Sequence, residues 1–222
     1  MNNFSKIKKK IRRYGLRPAT ERKLSLFAFS CIAYGYSKIL PKYLGFGYDA
    51  LGAIGRGEKW YSLLNEVAVA KKTKQFIDRN FDRMDSLIFS PTKEVLEEAE
   101  TLVSKEKKMI KAEPREYLEV IVDFYPRLIA VLGIYNCFWR YLGDNKSKGK
   151  ITKILAECLG EERGAVARFY PMIEQMVCQY TRQIGEKENF DGNLLRYMTL
   201  REMKRFLAGE QISALIIKKL EE

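Results

Sequence analysis

The segment from residue 115 to residue 142 limits the fold of this 222-residue chain more than any other. It follows Pro114, contains Pro126, and carries apolar side chains on nearly every helical face. A helix that is apolar all round belongs in the interior of a bundle. We therefore expect a central helix here, kinked at Pro126, with other helices packed around it. Its apolar residues are Leu118, Val120, Ile121, Phe124, Leu128, Ile129, Val131, Leu132 and Phe138.

Periodic apolar residues predict further helices on both sides of this segment. Ser90 and Pro91 are expected to open one of them, because serine caps a helix and proline fits its first position. Gly15 and Pro18 are expected to interrupt the chain before the first long helix. The other predicted helices cover about residues 20–38, 62–82, 151–159 and 162–184, with a bend near Pro171 and a last helix from Ser213.

Two local signals complete the predicted fold. Thr199 and Glu202 match the capping-box pattern ahead of a short helix, and Gly209 is placed to end it. The turn at Arg56–Gly57 indicates a small hairpin near residues 53–64. The fold class predicted from these patterns is all-α, an irregular multi-helix bundle.

The positive charge of the chain is concentrated at its N-terminus. The formal net charge is +12, and residues 1–23 hold nine lysines and arginines against the single acid Glu21, which is +8. We therefore divide the chain into a basic arm, residues 1–23, and a helical domain, residues 24–222. The arm could bind nucleic acid or an anionic surface, or it could be a solvated helix that aids solubility. Its polyanion-binding candidates are Lys8, Lys9, Lys10, Arg12 and Arg13.

The chain contains no histidine, which restricts its chemistry. Ser-His-Asp and Cys-His catalysis, histidine metal sites and phosphohistidine are all excluded. Its four cysteines form no C-x-x-C pair and lie in apolar helical patterns, so we expect free thiols in a reducing cytoplasm. No catalytic residue, metal ligand or cofactor site is predicted, and no enzyme activity is expected of the chain on its own. The cysteines are Cys31, Cys137, Cys158 and Cys178.

Two apolar stretches allow more than one interpretation. Residues 24–40 follow basic residues, as a signal anchor would, but serines, Gly35 and Lys38 favour a buried core helix over a membrane span. The aromatic residues of the central helix could line a pocket with Arg127 and Arg140, although core packing is the better interpretation. These aromatic residues are Tyr125, Tyr135, Phe138, Trp139 and Tyr141.

The C-terminal half resembles a known family of enzymes. From about residue 150 it reads LGEERGAVARFYPMIEQMVCQYTRQIG, followed by LLRYMTLREMKRFLAGEQIS. This is similar to the helical region of phosphoenolpyruvate-utilising enzymes of the pyruvate-water-dikinase and antibiotic-phosphotransferase type. The phrase Leu195-Arg196-Tyr197-Met198-Thr199-Leu200, then Glu202 and Gly209-Glu210, carries the resemblance, which covers about residues 115–222.

The resemblance implies the helical part of such an enzyme without its chemistry. The chain shows no ATP-grasp region, no swivelling domain and no histidine to carry phosphate, so no catalytic residue of the family can be assigned to it. We expect a non-catalytic module that acts as the docking or substrate-binding part of a divided or truncated enzyme. The implied partners are a swivelling phosphohistidine domain or an ATP-grasp protein. The apolar face of Ser213–Glu222 supplies the partner-docking candidates Leu215, Ile216 and Leu220.

Overall fold

The computed structural model describes residues 17–48, 51–56, 59–64, 66–106, 113–144 and 150–211. Within these ranges the fold is an irregular all-α bundle accompanied by a small antiparallel sheet, which confirms the predicted fold class. The helices are α1 (Leu26–Tyr34), α2 (Leu40–Leu44), α3 (Glu66–Asn80), α4 (Ser90–Glu106), α5 (Pro114–Asp144), α6 (Lys150–Glu188), α7 (Asn193–Arg196) and α8 (Leu200–Leu207).

Helix α5 is the central helix that the apolar run predicts. It continues through Pro126 and packs against α6, with α1, α3, α4 and α8 also in contact with it. Leu118, Ile121 and Leu128 are completely buried. Val120 departs from the prediction, because it is 52% exposed on the outer face of the helix. The core therefore forms around α5 and draws on nearly every other helix.

The sheet has three antiparallel strands in the order β1-β3-β2. Strands β2 (Leu51–Arg56) and β3 (Lys59–Leu64) form the predicted hairpin, with Arg56 opposite Lys59. Strand β1 (Arg17–Lys23) pairs with β3 and was not predicted. Its Pro18 lies where the register shifts, a position in an edge strand that tolerates the missing N–H of proline.

The first long helix begins later than predicted and does not stop before Pro41. Ser25 sets its start, because its side chain accepts a hydrogen bond from the N–H of Ala28 at 3.1 Å. The interior of α1 is buried, with Phe27 and Cys31 inaccessible to solvent, so the predicted core helix is confirmed. Among the described residues no helix has an apolar stretch long enough to cross a membrane.

A π turn allows the chain to remain helical past Pro41. Residues Gly35–Ile39 form this turn between α1 and α2, and the carbonyl of Gly35 accepts from the N–H of Leu40. The next carbonyl, Tyr36, would face Pro41, which has no N–H to donate. It accepts instead from the N–H of Tyr48 at 3.3 Å. The π turn and the hydrogen bond from Tyr48 therefore let the helix contain Pro41 without leaving the Tyr36 carbonyl unpaired.

A π turn also precedes Ser90, so the prediction that Ser90 caps the start of a helix is wrong. Residues Phe81–Arg83 form a 3₁₀ turn and residues Asp85–Phe89 form a second π turn, which continues directly into α4. Ser90 has helical dihedral angles, so it is not an N-cap, and its hydroxyl donates to Asp85 at 3.3 Å. Pro91 again follows two residues after a π turn. In both places the widened turn accommodates a proline inside a helix.

Helix α6 is one continuous helix where two were predicted. It runs from Lys150 to Glu188 and passes through both Gly160 and Pro171. A glycine inside a helix costs only about 1 kcal/mol, and the packing of α6 along α5 outweighs it. The prediction of separate helices over about residues 151–159 and 162–184 is therefore wrong, because the packing of the helix against α5 is not contained in the local sequence.

Candidate docking groove

A groove runs between the α1 side of the bundle and α8. Its volume is about 670 Å³, within the range of roughly 300–1,000 Å³ that is typical of binding sites. The side chains of each wall recur three or four residues apart, so each wall is one face of a helix. The first wall contains Ser30, Ala33, Tyr34, Ser37 and Lys38, and the second contains Thr199, Leu200, Arg201, Lys204, Arg205 and Ala208.

The predicted capping box is present and fixes the start of α8. The N–H of Glu202 donates to Thr199 Oγ1 at 3.3 Å, and Glu202 Oε2 accepts from the N–H of Thr199 at 2.6 Å. A third bond ties this turn to α1, because the N–H of Leu200 donates to Ser30 Oγ at 2.6 Å. The same Ser30 hydroxyl donates to the carbonyl of Phe27 at 2.7 Å. The two walls are therefore held together at one end by a hydrogen bond.

The inner face of α8 anchors it to the rest of the bundle. Met203 and Phe206 are buried and do not line the groove, and the buried Leu200 is the one inner-face residue of α8 that also lines it. The Arg115 guanidinium stacks 4.2 Å from the centre of the Phe206 ring and donates to the Phe206 carbonyl at 3.1 Å. Gly209, with φ of 99°, ends the helix as predicted. The second wall is thus rigidly supported from behind.

Among the described residues that line the groove, the charged side chains are all basic. Lys204 pairs with Asp123, and Arg205 pairs with Glu210, both at the protein surface. Lys38 and Arg201 make no ion pair with any described residue. Exposed ion pairs contribute at most about 1 kcal/mol, so the counter-ions of Lys204 and Arg205 are readily exchanged. The groove therefore presents a positive rim.

The floor of the groove, between its charged side chains, consists of apolar groups and of hydroxyls that already make hydrogen bonds. Ala33 and Ala208 contribute methyl groups, and Tyr34 leaves 48% of its surface exposed. The hydroxyls of Ser30 and Ser37 donate to carbonyls of their own helix, to Phe27 and to Ala33 respectively. Small residues keep the floor open, and an exposed aromatic ring beside it is a feature of interaction surfaces.

A second polar cluster lies in the interior of the bundle. The hydroxyl of the fully buried Tyr125 donates to Glu174 Oε1. Burial raises the pKa of Glu174, although the Tyr125 hydrogen bond and nearby Arg196 lower it in part. Arg196 Nε is buried without a hydrogen-bond partner in the described structure. Arg196 lies in the segment Leu195–Leu200, so this segment contributes to the core as well as to the groove.

The thiols near this cluster are poor nucleophiles. Burial raises the pKa of Cys31 well above its usual value, and the negative charge of Glu174 adds to the effect. Burial also raises the pKa of Cys178, with Arg196 acting in the opposite direction. A thiol with a raised pKa stays protonated at neutral pH and reacts slowly. The cluster offers hydrogen bonding and packing, but no activated group.

Most of the aromatic residues of the central helix pack in the core, as the sequence predicts. Tyr125, Tyr135, Phe138 and Tyr141 are buried. Trp139 is the exception at 53% exposed, with the Arg163 guanidinium 4.8 Å from its ring centre. The Arg127 side chain is partly exposed and pairs with Glu98 at 2.8 Å.

The residues singled out from the sequence for binding do not coincide with the groove. The polyanion-binding candidates Lys8, Lys9, Lys10, Arg12 and Arg13 lie outside the described residues, as do Leu215, Ile216 and Leu220. The groove itself was not predicted. Its only sequence signal is the basic spacing Arg201, Lys204 and Arg205 on α8, which by itself matches an ordinary solvated helix face. Over the described ranges, no group of cysteine, aspartate and glutamate side chains could hold a metal ion.

The chain was compared with protein-family models, with curated proteins and with solved structures, and none of them matches it.

Proposed function

We propose that this chain is a non-catalytic helical module related to phosphoenolpyruvate-utilising phosphotransferases, and that it docks a partner domain through the groove between α1 and α8. The observation that carries the proposal is the position of the resembling phrase. Thr199, Leu200 and the helix they start form one complete wall of the groove. The segment that resembles the family is thus also the segment that builds the binding surface.

The chemistry of the described side chains supports a docking role rather than a catalytic one. The sequence has no histidine, so it cannot carry a phosphohistidine. Cys31 and Cys178 have raised pKa values caused chiefly by burial, which keeps them as thiols. The groove hydroxyls of Ser30 and Ser37 donate to backbone carbonyls, and the described lining residues include no carboxylate.

The proposed partner is a swivelling phosphohistidine domain or an ATP-grasp protein. Such a partner would complete the divided enzyme that the resemblance implies. Leu215, Ile216 and Leu220 are proposed to extend the docking surface beyond α8. The module is proposed to act in the cytoplasm, where the free thiols of Cys31 and Cys137 remain reduced.

The test uses the swivelling domain encoded in the same genome, co-expressed with the full chain. We expect a stable complex by gel filtration and calorimetry, weakened by Arg201→Glu in the groove and by the pair Leu215→Asp and Ile216→Asp. The control is Lys93→Glu, which changes an exposed lysine of α4 outside the groove. The same measurement is made with an ATP-grasp protein of that genome. The proposal fails if the genome encodes neither partner, or if neither binds at about 100 μM, a binding free energy of only about −5.5 kcal/mol.

A second function is favoured by the charge distribution alone. Residues 1–23 carry +8 of the +12 total, a density that attracts nucleic acid or an anionic surface. In this alternative, the helical bundle only presents the arm, and the phosphates are contacted by Lys8, Lys9, Lys10, Arg12 and Arg13. Salt-sensitive binding that is lost with residues 1–16 would support it.

A further inference from the structure

We infer that the groove between α1 and α8 binds a negatively charged amphipathic helix of a partner protein. This inference rests on the proposed docking function and specifies the chemistry of the docked element. Three features of the groove lead to it: the form of its walls, the sign of its charge and the size of its floor residues.

The form of the walls fits a guest helix. The first wall runs from Ser30 to Lys38, a rise of about 12 Å or two helical turns, and α8 matches it in length. A groove between two helices receives a third helix through apolar side chains spaced three and four residues apart. The exposed ring of Tyr34 and the methyl groups of Ala33 and Ala208 would contact that apolar face.

The positive charge of the rim favours a guest helix whose polar face is acidic. Lys38 on one wall and Arg201 on the other have no ion-pair partner in the described part of the chain. Lys204 and Arg205 add two cations whose surface counter-ions are weakly held. Glutamate or aspartate on both flanks of a guest helix would meet a cation on either side. Such complementarity speeds association and rejects basic helices.

The small floor residues keep the groove open. Ala33 and Ser37 leave room that larger side chains would fill, so the space is not closed by the bundle itself. The apolar floor also favours an amphipathic helix over duplex nucleic acid, whose binding depends on phosphate contacts alone. An amphipathic acidic helix is thus the occupant that uses both the floor and the rim.

The test uses a designed helical peptide of about 15 residues, with leucine on one face and glutamate on the other. We expect the full chain to bind it, measured by fluorescence anisotropy, and to bind a peptide with lysine in place of glutamate at least tenfold more weakly. Raising salt from about 50 to about 300 mM should also weaken binding, because the screening length shortens.

Variants locate the binding in the groove. Ala33→Trp should fill the floor of the groove, and the pair Lys38→Glu and Arg201→Glu should reverse the charge of the rim. Each change should weaken binding of the acidic peptide by about tenfold or more, equivalent to about 1.4 kcal/mol. The matched controls are Val67→Trp at a site 76% exposed and the pair Lys71→Glu and Lys93→Glu. These controls should leave binding unchanged, and circular dichroism should show all variants folded.

Several results would overturn the inference. These are no binding of the acidic peptide at about 100 μM, equal binding of the acidic and basic peptides, or no effect of the groove variants. Binding of a duplex DNA that depends on Lys38 and Arg201 would instead identify a nucleic-acid site. If the peptide binds as expected but neither the swivelling domain nor the ATP-grasp protein does, only the proposed function fails. If the swivelling domain binds independently of Lys38 and Arg201, only the acidic-helix inference fails.

Discussion

The backbone N–H of Leu200 donates a hydrogen bond to the side-chain oxygen of Ser30 at 2.6 Å, across 170 residues of sequence. This bond joins the first turn of α8 to α1 and holds the two groove walls together at one end. Leu200 is buried and the bond is partly buried, so loss of the serine hydroxyl would leave this N–H with restricted access to water.

The first prediction is that Ser30→Ala destabilises the fold by about 1–2 kcal/mol, since it leaves the N–H of Leu200 unsatisfied. For a chain of this size the melting temperature should fall by roughly 2–4 °C per kcal/mol. Urea unfolding and thermal unfolding measure the change. Ser86→Ala is the control, because the exposed Ser86 hydroxyl bonds only to the carbonyl of Arg83 in its own turn. Equal stability of the two variants would show that the Leu200 bond contributes nothing.

The second prediction concerns Glu174 and its response to pH. Burial raises the pKa of Glu174 in the folded state, so its ionised form opposes folding. Below the unfolded pKa of a glutamate, about 4.3, Glu174 is protonated and does not oppose folding. Stability is lost as the pH rises through the raised pKa of the folded state. Glu174→Gln keeps an acceptor for Tyr125 and cannot ionise. The stability of this variant relative to the natural chain, measured as the difference in the free energy of unfolding, should therefore be higher at pH 7 than at pH 4.

Glu188 provides a control of opposite sign. The hydrogen bonds from Arg115 lower the pKa of Glu188, so this group favours folding above its unfolded pKa. That contribution is lost as the pH falls through the folded pKa. Glu188→Gln should therefore lose stability relative to the natural chain at pH 7, and less so at pH 3. If Glu174→Gln and Glu188→Gln shift in the same direction with pH, the assignment for Glu174 is wrong.

The third prediction compares two glycines of the same helix. A Cβ on Gly185 would lie 2.4 Å from the backbone nitrogen of Gly192, where the chain turns back against α6. Gly185→Ala should therefore destabilise the fold by about 2 kcal/mol or more, because the backbone must move. A Cβ on Gly164 meets nothing within 4 Å. Gly164→Ala should stabilise the helix by about 0.5–1 kcal/mol, and urea unfolding of the two variants tests both signs.

The fourth prediction concerns the basic arm. Removing residues 1–16 leaves strand β1 intact, so the melting temperature should change little. If the arm binds polyanions, the full chain should bind duplex DNA with a log–log salt slope of about −0.9 for each phosphate contacted. Binding is measured by anisotropy at several salt concentrations. Equal affinity of the shortened chain would exclude the arm as the binding site.

The sequence predicts the elements whose signals are local. The apolar run of α5, the Thr199–Glu202 capping box, the stop at Gly209 and the pairing of strands β2 and β3 as a hairpin all appear as expected. Each depends on residues close together in sequence, where spacing alone determines the hydrogen bonds or the buried face.

The errors occur where distant residues decide the outcome. The first long helix was predicted to end at about residue 38, but it continues past Pro41, where the N–H of Tyr48 bonds to the Tyr36 carbonyl that the proline leaves without a donor. Strand β1 exists only through its pairing with β3, about forty residues away. The groove likewise requires Ser30 and Leu200 to meet, and no local pattern contains that contact. The candidate site could not have been found from the sequence for this reason.

The π turn at Gly35–Ile39 also has a consequence for how this chain varies in evolution. A π turn holds one residue more than an α-helical turn, and two adjacent residues, Gly35 and Tyr36, are buried between Cys31 and the next buried positions, Leu40 and Leu44. Removing one residue from the turn would let it close into an ordinary α-helical turn and leave Leu40 and Leu44 on the buried face. The turn thus behaves as a one-residue insertion that the fold has absorbed. Homologous chains that share this wall but lack the π turn should show a one-residue gap at this place in an alignment.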